Sequence, residues 1–351
     1  MTKSYKISAE QMNDIFKKLE ENYVIYAPKR IPNGGRYALT DTIEYKQVHS
    51  YDEIEYKERS NYPMKEVLTP ITQTIFYFTE DEFKEASEKE TRDILVFGRA
   101  CDINAVKIQD QIYIENGPDA DYFYQRVRDR IHFVLMECTT QFNGCFCCSV
   151  GANTTDMQSF GVRFGDESAM VEVNDDTFAP YFEGMTEVED QINFPEENDL
   201  KVEIPVIEDI EMVNKLKDHP MWDEYNERCI GCGTCTVTCP TCTCFTTTDV
   251  LYNENRNVGE RRRTEASCMV DGFDRVQGHD FRKTIGDRYR YKMLHKIYAH
   301  NKRFGTGPMC VGCGRCDIDC PMLISYPATL KKISAAIEEI KAEEGGNSEN
   351  E

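Results

Sequence analysis

The stretch Cys229-Ile230-Gly231-Cys232-Gly233-Thr234-Cys235-Thr236-Val237-Thr238-Cys239-Pro240 fits the spacing C-x2-C-x2-C-x3-C-P, and Cys310-Val311-Gly312-Cys313-Gly314-Arg315-Cys316-Asp317-Ile318-Asp319-Cys320-Pro321 repeats it. This is the spacing of bacterial two-cluster ferredoxins, in which three close thiolates grip one cubane and the fourth cysteine reaches the other. By that crossing rule one 4Fe-4S cluster takes Cys229, Cys232, Cys235 and Cys320, and the second takes Cys310, Cys313, Cys316 and Cys239. Gly231, Gly233, Gly312 and Gly314 leave room for backbone N–H groups to turn toward cluster sulfur. Structural zinc is the competing reading; it favours two separated C-x2-C pairs over four cysteines in one run, and zinc performs no redox step.

Working outward, seventy residues separate Cys239 from Cys310, and Asp287 to Arg303 has a helical pattern. The expectation is a mostly helical dicluster ferredoxin-type domain over 216–344. Upstream, Ser8 with Gln11 three residues on, before Met12, Ile15, Phe16 and Leu19, predicts a capped amphipathic helix. Strands are expected at Tyr23–Ala27, Ile94–Phe97 and His132–Met136, with more among Val162, Phe164, Met170, Val171 and Val173. Thr79 to Glu82 has the form of a second helix cap, and Asp121–Arg130 a helical one. Residues 1–190 therefore form an α+β or α/β domain. An acidic connector spans 191–215, and 345–351 reads as a disordered tail.

Eight further cysteines complete the sixteen of the chain. Cys101, in Gly98-Arg99-Ala100-Cys101-Asp102, is expected in a loop after a strand, and Cys138 to Cys148 fall at the next strand end. Cys101, Cys138, Cys145 and Cys147 are the candidate ligands of a third 4Fe-4S cluster, against the alternative of a loop of buried, reduced thiols. Cys148 is set aside because adjacent side chains point apart in extended chain. Cys242, Cys244 and Cys268 receive no metal role. His219, His279, His295 and His300 stand isolated, and the aromatic residues are read as core.

The 351 residues carry a formal net charge of −21, which argues against nucleic acid as a partner. Charge is uneven: residues 152–230 hold 21 Asp/Glu against 5 Lys/Arg, whereas 256–303 hold 13 Lys/Arg against 6 Asp/Glu. That asymmetry reads either as a docking field or as a solvated surface. With no apolar run of about 18 residues and no apolar N-terminal segment, the expectation is a cytoplasmic protein outside the membrane, whose cysteines hold metal rather than disulfides. Gly34-Gly35 and Gly345-Gly346 are isolated pairs, so no dinucleotide fingerprint is present.

Together, Gly98-Arg99-Ala100-Cys101-Asp102, Gly144-Cys145-Phe146-Cys147, Cys239-Pro240-Thr241-Cys242-Thr243-Cys244-Phe245 and Cys310-Val311-Gly312-Cys313-Gly314-Arg315-Cys316 resemble the iron-sulfur electron-transfer subunit of anaerobic sulfite reductase, and behind it the iron-sulfur beta subunits of soluble sulfhydrogenases. Pro63-Met64-Lys65-Glu66-Val67-Leu68 and Thr72-Gln73-Thr74-Ile75-Phe76 resemble the sulfite reductase protein in particular. The resemblance implies an electron-transfer subunit, not catalytic by itself, between a flavin subunit oxidising NADH and a sirohaem subunit reducing sulfite to sulfide. It implies no flavin, NAD or sirohaem on this chain. A cytosolic hydrogenase would use the same cluster sites with different partners, and a zinc-holding structural module is the reading from another class.

Overall fold

The computed structural model describes residues 3–36, 39–87, 90–138, 141–254 and 256–348. Its strands are β1 (Lys3–Ser8), β2 (Tyr23–Ile31), β3 (Thr42–Gln47), β4 (Thr72–Phe78), β5 (Phe83–Glu85), β6 (Asp93–Gly98), β7 (Ile131–Met136), β8 (Gln158–Arg163), β9 (Ser168–Val173), β10 (Thr186–Val188), β11 (Phe245–Leu251), β12 (Gly259–Glu265), β13 (Arg275–Val276) and β14 (His279–Asp280). The helices are α1 (Ala9–Leu19), α2 (Lys65–Leu68), α3 (Ala100–Tyr113), α4 (Tyr122–Arg128), α5 (Ile210–Lys217), α6 (Asp223–Arg228), α7 (Thr234–Val237), α8 (Ile285–Leu294), α9 (His300–Phe304), α10 (Arg315–Ile318) and α11 (Tyr326–Ser348).

The N-terminal half is built on a mixed sheet in the order β10-β1-β9-β8-β7-β6-β2-β3, with β2, β6, β7 and β8 parallel at its centre. Strands covered on both faces read as continuous apolar runs, which is why Ile94-Leu95-Val96-Phe97 shows no polar alternation. The pleat then splits each run. Leu95, Phe97, Val134 and Met136 join Met12, Ile15, Phe16 and Leu19 of α1 in one core, while Ile94, Val96, Phe133 and Leu135 join Ile103 and Val106 of α3 in the other. The Ser8 and Gln11 capping box closes the start of α1.

Two local expectations give way. Thr79 to Glu82 caps no helix; Thr79 N–H donates to the Glu82 carbonyl and Glu82 N–H to Thr79 Oγ1, closing the turn between β4 and β5. The same hydroxyl-to-amide bond serves a turn as well as a helix start, and the β-rich flanks decide between them. Cys101 lies in the first turn of α3 rather than in a loop, because the parallel β6 feeds directly into its crossover helix.

The C-terminal region is a mixture rather than mostly helical. The insert between the cysteine runs supplies β11 and β12, and these join the β4–β5 hairpin in a sheet ordered β11-β12-β4-β5. One sheet thus draws strands from both halves of the chain. Helices α5, α6, α8 and α11 enclose a core of Leu216, Trp222, Tyr225, Tyr289, Met293, Leu330, Ile333 and Ile337. Helix α11 continues to Ser348, through part of the stretch read as a tail; residues 349–351 lie outside the described residues. Among the described residues no helix is long and apolar enough to cross a membrane.

Helix α3 is where the halves are joined. Gln109 Nε2 donates to the Pro240 carbonyl at 2.7 Å and Tyr113 Oη to the Thr243 carbonyl at 3.1 Å, so its far end holds the chain leaving the first cysteine run. At its near end Asp102 accepts two hydrogen bonds from Arg315, at 2.7 and 2.9 Å, with both side chains only 2% exposed. Arg315 also donates to the Ser60 carbonyl and hydroxyl, at 2.9 and 2.8 Å. Asp102→Ala would leave this guanidinium buried without its anion, and should cost about 3–5 kcal/mol of stability, read as a lowered midpoint of chemical denaturation.

Candidate metal centres

Each cysteine run folds in the same way. Gly233 and Gly314 adopt positive φ, and each is followed by one helical turn, α7 or α10, that carries the chain to the fourth cysteine. Gly231 N–H points at Cys229 Sγ and Gly312 N–H at Cys310 Sγ, both at 3.4 Å. Ile324 N–H likewise reaches Cys320 Sγ at 3.3 Å. Amide hydrogens aimed at sulfur favour the thiolate form and the charge of a sulfide-bridged cluster.

Cys229, Cys232, Cys235 and Cys320 line one cavity, walled by Met269, Tyr289, Ile324 and Tyr326 and lined by Cys316 as well. Three of these thiols come from the first run and one from the end of the second. Tyr289 shares the Thr329 hydroxyl with Tyr225, each at 2.9 Å, so the Tyr289 hydroxyl is satisfied by Thr329. Among the described residues no three or more His, Cys, Asp or Glu side chains converge where a single ion could sit; the four thiols stand around a space. That donor set, soft sulfur around an apolar void, fits an iron-sulfur cluster.

Cys239 crosses in the opposite sense, and its charge is felt by Cys310, Cys313 and Cys316. Burial pushes the Cys310 thiol up to about 12, against the pull of Lys296 and the Gly312 amide. Burial also raises Cys313 and Cys316. Cys239 goes the other way: a hydrogen bond from Cys242, with Lys296 and Lys292 nearby, lowers its thiol well below the usual range. Thiols so buried resist ionising one by one, and metal binding is what removes their protons.

In the N-terminal half Cys101 leaves the end of β6 and Cys138 the end of the adjacent parallel β7, the edge where α/β folds collect their sites. Cys138, Cys145, Cys147 and Cys148 lie close enough to perturb one another, and burial first, then these neighbours, pushes Cys147 up to about 12. Cys101 faces both Cys147 and Cys313, and packs with them around Ala105 and Val311. Extended-chain geometry would turn Cys148 away from Cys147, but the two occupy a 3-10 turn. Adjacent side chains there do not alternate, and Cys148 interacts with Cys138 and Cys147 while its Sγ donates to the Pro195 carbonyl at 3.4 Å.

This cysteine loop is docked on the second run. Phe146 N–H donates to the Gly312 carbonyl at 2.8 Å, and Arg59 donates to the carbonyls of Cys313 and Asn143. Arg99 lies over the Phe142 ring, 4.6 Å from its centre, and donates to the Glu137 carbonyl. A Cβ on Gly312 would stand 2.5 Å from the Phe146 carbonyl carbon, and one on Gly314 2.3 Å from the Gly144 oxygen.

The sequence reading left out Lys292, Lys296, Arg59 and Asn198. Asn198 accepts from Cys148 N–H at 2.8 Å, and the two lysines reach sulfur. Cys244 and Cys268 hydrogen bond to each other beside Lys292. The segment around Lys292 and Lys296 is rich in charged residues, Asp287, Arg288 and Arg290 among them, so nothing in the sequence set these two lysines apart.

Residues 228–324 match the family model of a 4Fe-4S dicluster domain. A 4Fe-4S dicluster domain therefore forms the C-terminal part of this mixed α/β chain. Over 353 residues the chain is 29% identical to Sulfhydrogenase 2 subunit beta of Pyrococcus furiosus, an alignment covering 93% of this chain and 97% of that protein. No solved structure matches.

Gly312→Ala or Gly314→Ala should undock the 142–148 loop, because backbone rather than a flexible side chain blocks the added carbon. Faster hydrogen exchange at Phe146 N–H would show it, with Gly272→Ala, where nothing lies within 4 Å, as the control for positive φ alone.

Proposed function

We propose that this chain is the electron-transfer subunit of a multi-subunit oxidoreductase, and that its dicluster domain is ligated in crossed fashion: Cys229, Cys232, Cys235 and Cys320 on one cluster, Cys310, Cys313, Cys316 and Cys239 on the other. The observation that carries this reading is the cavity shared by three thiols of the first run and the last thiol of the second, which Cys316 also lines. When bound, each cluster supplies one-electron transfer. The chain's own part is to hold the thiolates, exclude water with Met269, Tyr289 and Tyr326, and aim amides and cations at sulfur. No side chain needs to move a proton or form a covalent intermediate.

Crossed ligation is tested by substitution. Cys320→Ala should remove the same paramagnetic signal as Cys229→Ala, while Cys310→Ala should remove the other; a Cys320→Ala protein that retains the Cys229-dependent signal would refute it.

Cys138, Cys145, Cys147 and Cys148, with Cys101 between them and Cys313, are proposed to hold a third cluster using four of these five thiols. The proximity of Cys101 to both Cys147 and Cys313 would then extend the relay from the dicluster domain into the α/β half. About twelve iron and twelve acid-labile sulfide per chain would support three cubanes, whereas about eight would confine the relay to the dicluster domain.

As to the complex, we infer an anaerobic sulfite reductase, with the chain placed between an NADH-oxidising flavin subunit and a sirohaem subunit. The segments Pro63–Leu68 and Thr72–Phe76 support this; they form α2 and β4, which brace β12 and the first cysteine run. The similarity to a sulfhydrogenase beta subunit favours a second reading, the same relay serving a hydrogenase. The complex isolated through this chain decides: sirohaem absorbance supports the first, stoichiometric nickel the second.

A further inference from the structure

Lys292 and Lys296 are 3% and 4% exposed, and among the described residues neither has a carboxylate within ion-pair distance. Lys292 Nζ donates to the Cys235 carbonyl at 2.9 Å, Thr236 Oγ1 at 3.3 Å and Cys242 Sγ at 3.5 Å. Lys296 Nζ donates to Thr241 Oγ1 at 2.9 Å, the Met309 carbonyl at 3.0 Å and Cys239 Sγ at 3.3 Å. Each nitrogen meets three acceptors, the number of N–H donors on an ammonium. Lys65 offers the contrast: equally buried beside Thr236, it is paired with Glu265.

Two unpaired ammonium groups in a protein interior are costly unless an anion faces them. The anions at hand are the proposed cluster thiolates: Lys296 reaches Cys239 Sγ, and Lys292 lines the cavity of Cys229, Cys232, Cys235 and Cys320. The backbone is consistent with the placement, since α8 passes through one π-helical stretch, His295–Ala299, before α9, a feature frequent at functional sites. There the Lys296 carbonyl accepts Met309 N–H at 2.7 Å, so Lys296 holds Met309 by both of its backbone groups, one residue before Cys310.

We propose that Lys292 and Lys296 are the buried counter-charge of the dicluster domain and raise the midpoint potentials of its two clusters. The inference rests on the crossed ligation proposed above. A cluster with four thiolates is anionic, and reduction adds one electron to it. A fixed cation in a low-dielectric interior stabilises the reduced form more than the oxidised form. The two lysines act on different clusters. Lys296, on Cys239 and Met309, bears chiefly on the cluster of the second run, and Lys292, on the Cys235 carbonyl, chiefly on that of the first.

The test is an anaerobic redox titration of the full chain, with its clusters, followed by electron paramagnetic resonance, in Lys292→Gln, Lys296→Gln and the corresponding Arg variants. Iron and sulfide are measured first. Wild-type protein without iron or sulfide would refute the ligation reading itself, before any variant is compared. With clusters present, each Gln variant should make its own cluster harder to reduce by about tenfold in equilibrium constant, 59 mV for one electron, while Arg keeps the potential near wild type. Unchanged potentials in Gln variants that retain their clusters would overturn the proposal. Loss of clusters in both Gln and Arg variants would also overturn it, since the lysines would then be supports and not counter-charges.

Discussion

The buried pair between Arg315 and Asp102 is the interaction on which the rest of the arrangement depends. Arg315 lies inside the second cysteine run, between Cys313 and Cys316, and Asp102 follows Cys101 at the start of α3. One bidentate contact therefore fixes the relative position of two cysteine sets from opposite ends of the chain. A guanidinium suits this position because its planar fork meets the carboxylate and the Ser60 acceptors at once. Its geometry, more than its energy, is what matters, since a buried ion pair contributes little net stability against an apolar replacement. It specifies register: shifting the second run by one residue would bury both charges alone.

From that fixed point the cysteine sets follow a path. The parallel strands β6 and β7 end side by side, so the residues that follow them, Cys101 and Cys138, emerge on the same edge of the sheet. The 142–148 loop folds over this edge and lies against Gly312 and Gly314, where only hydrogen side chains allow the approach. The second run then shares its last thiol with the cavity of the first. The sheet of β4, β5, β11 and β12 clamps the far side, so that neither half of the chain presents its cysteines without the other.

The parts legible in the sequence were those set by a local rule. The capping box at Ser8 and the apolar run Ile94–Phe97 depend on neighbours within a few residues. What escaped was decided by distant partners. Thr79–Glu82 has the pattern of a helix cap, but its flanking strands pair with each other and, through β12, with distant residues such as Gly259 opposite Phe78 and Thr264 opposite Thr72. The β11–β12 hairpin in the insert is mostly exposed and polar on its outer strand, Thr246 to Asp249, so it carries no apolar alternation to betray it. The spacing of the cysteine runs indicated which thiols could share a cluster; that a loop from the N-terminal half would lie against the second run had no local signal at all.

The charge pattern shows the same divide. The basic segment 256–303 can be read in sequence as a surface that steers a partner. In the structure Arg263, Arg288, Lys292 and Lys296 of that segment are all buried. Arg263 reaches Asp121, and Arg288 the Met269 carbonyl and Asp271, while the two lysines face backbone oxygen, hydroxyls and sulfur. Part of the apparent surface field is thus an internal one, directed at the thiols. A chain with a net charge of −21 that nonetheless carries unpaired cations in its interior beside cysteine sulfur has placed positive charge where the thiolates of a bound cluster would otherwise stand uncompensated.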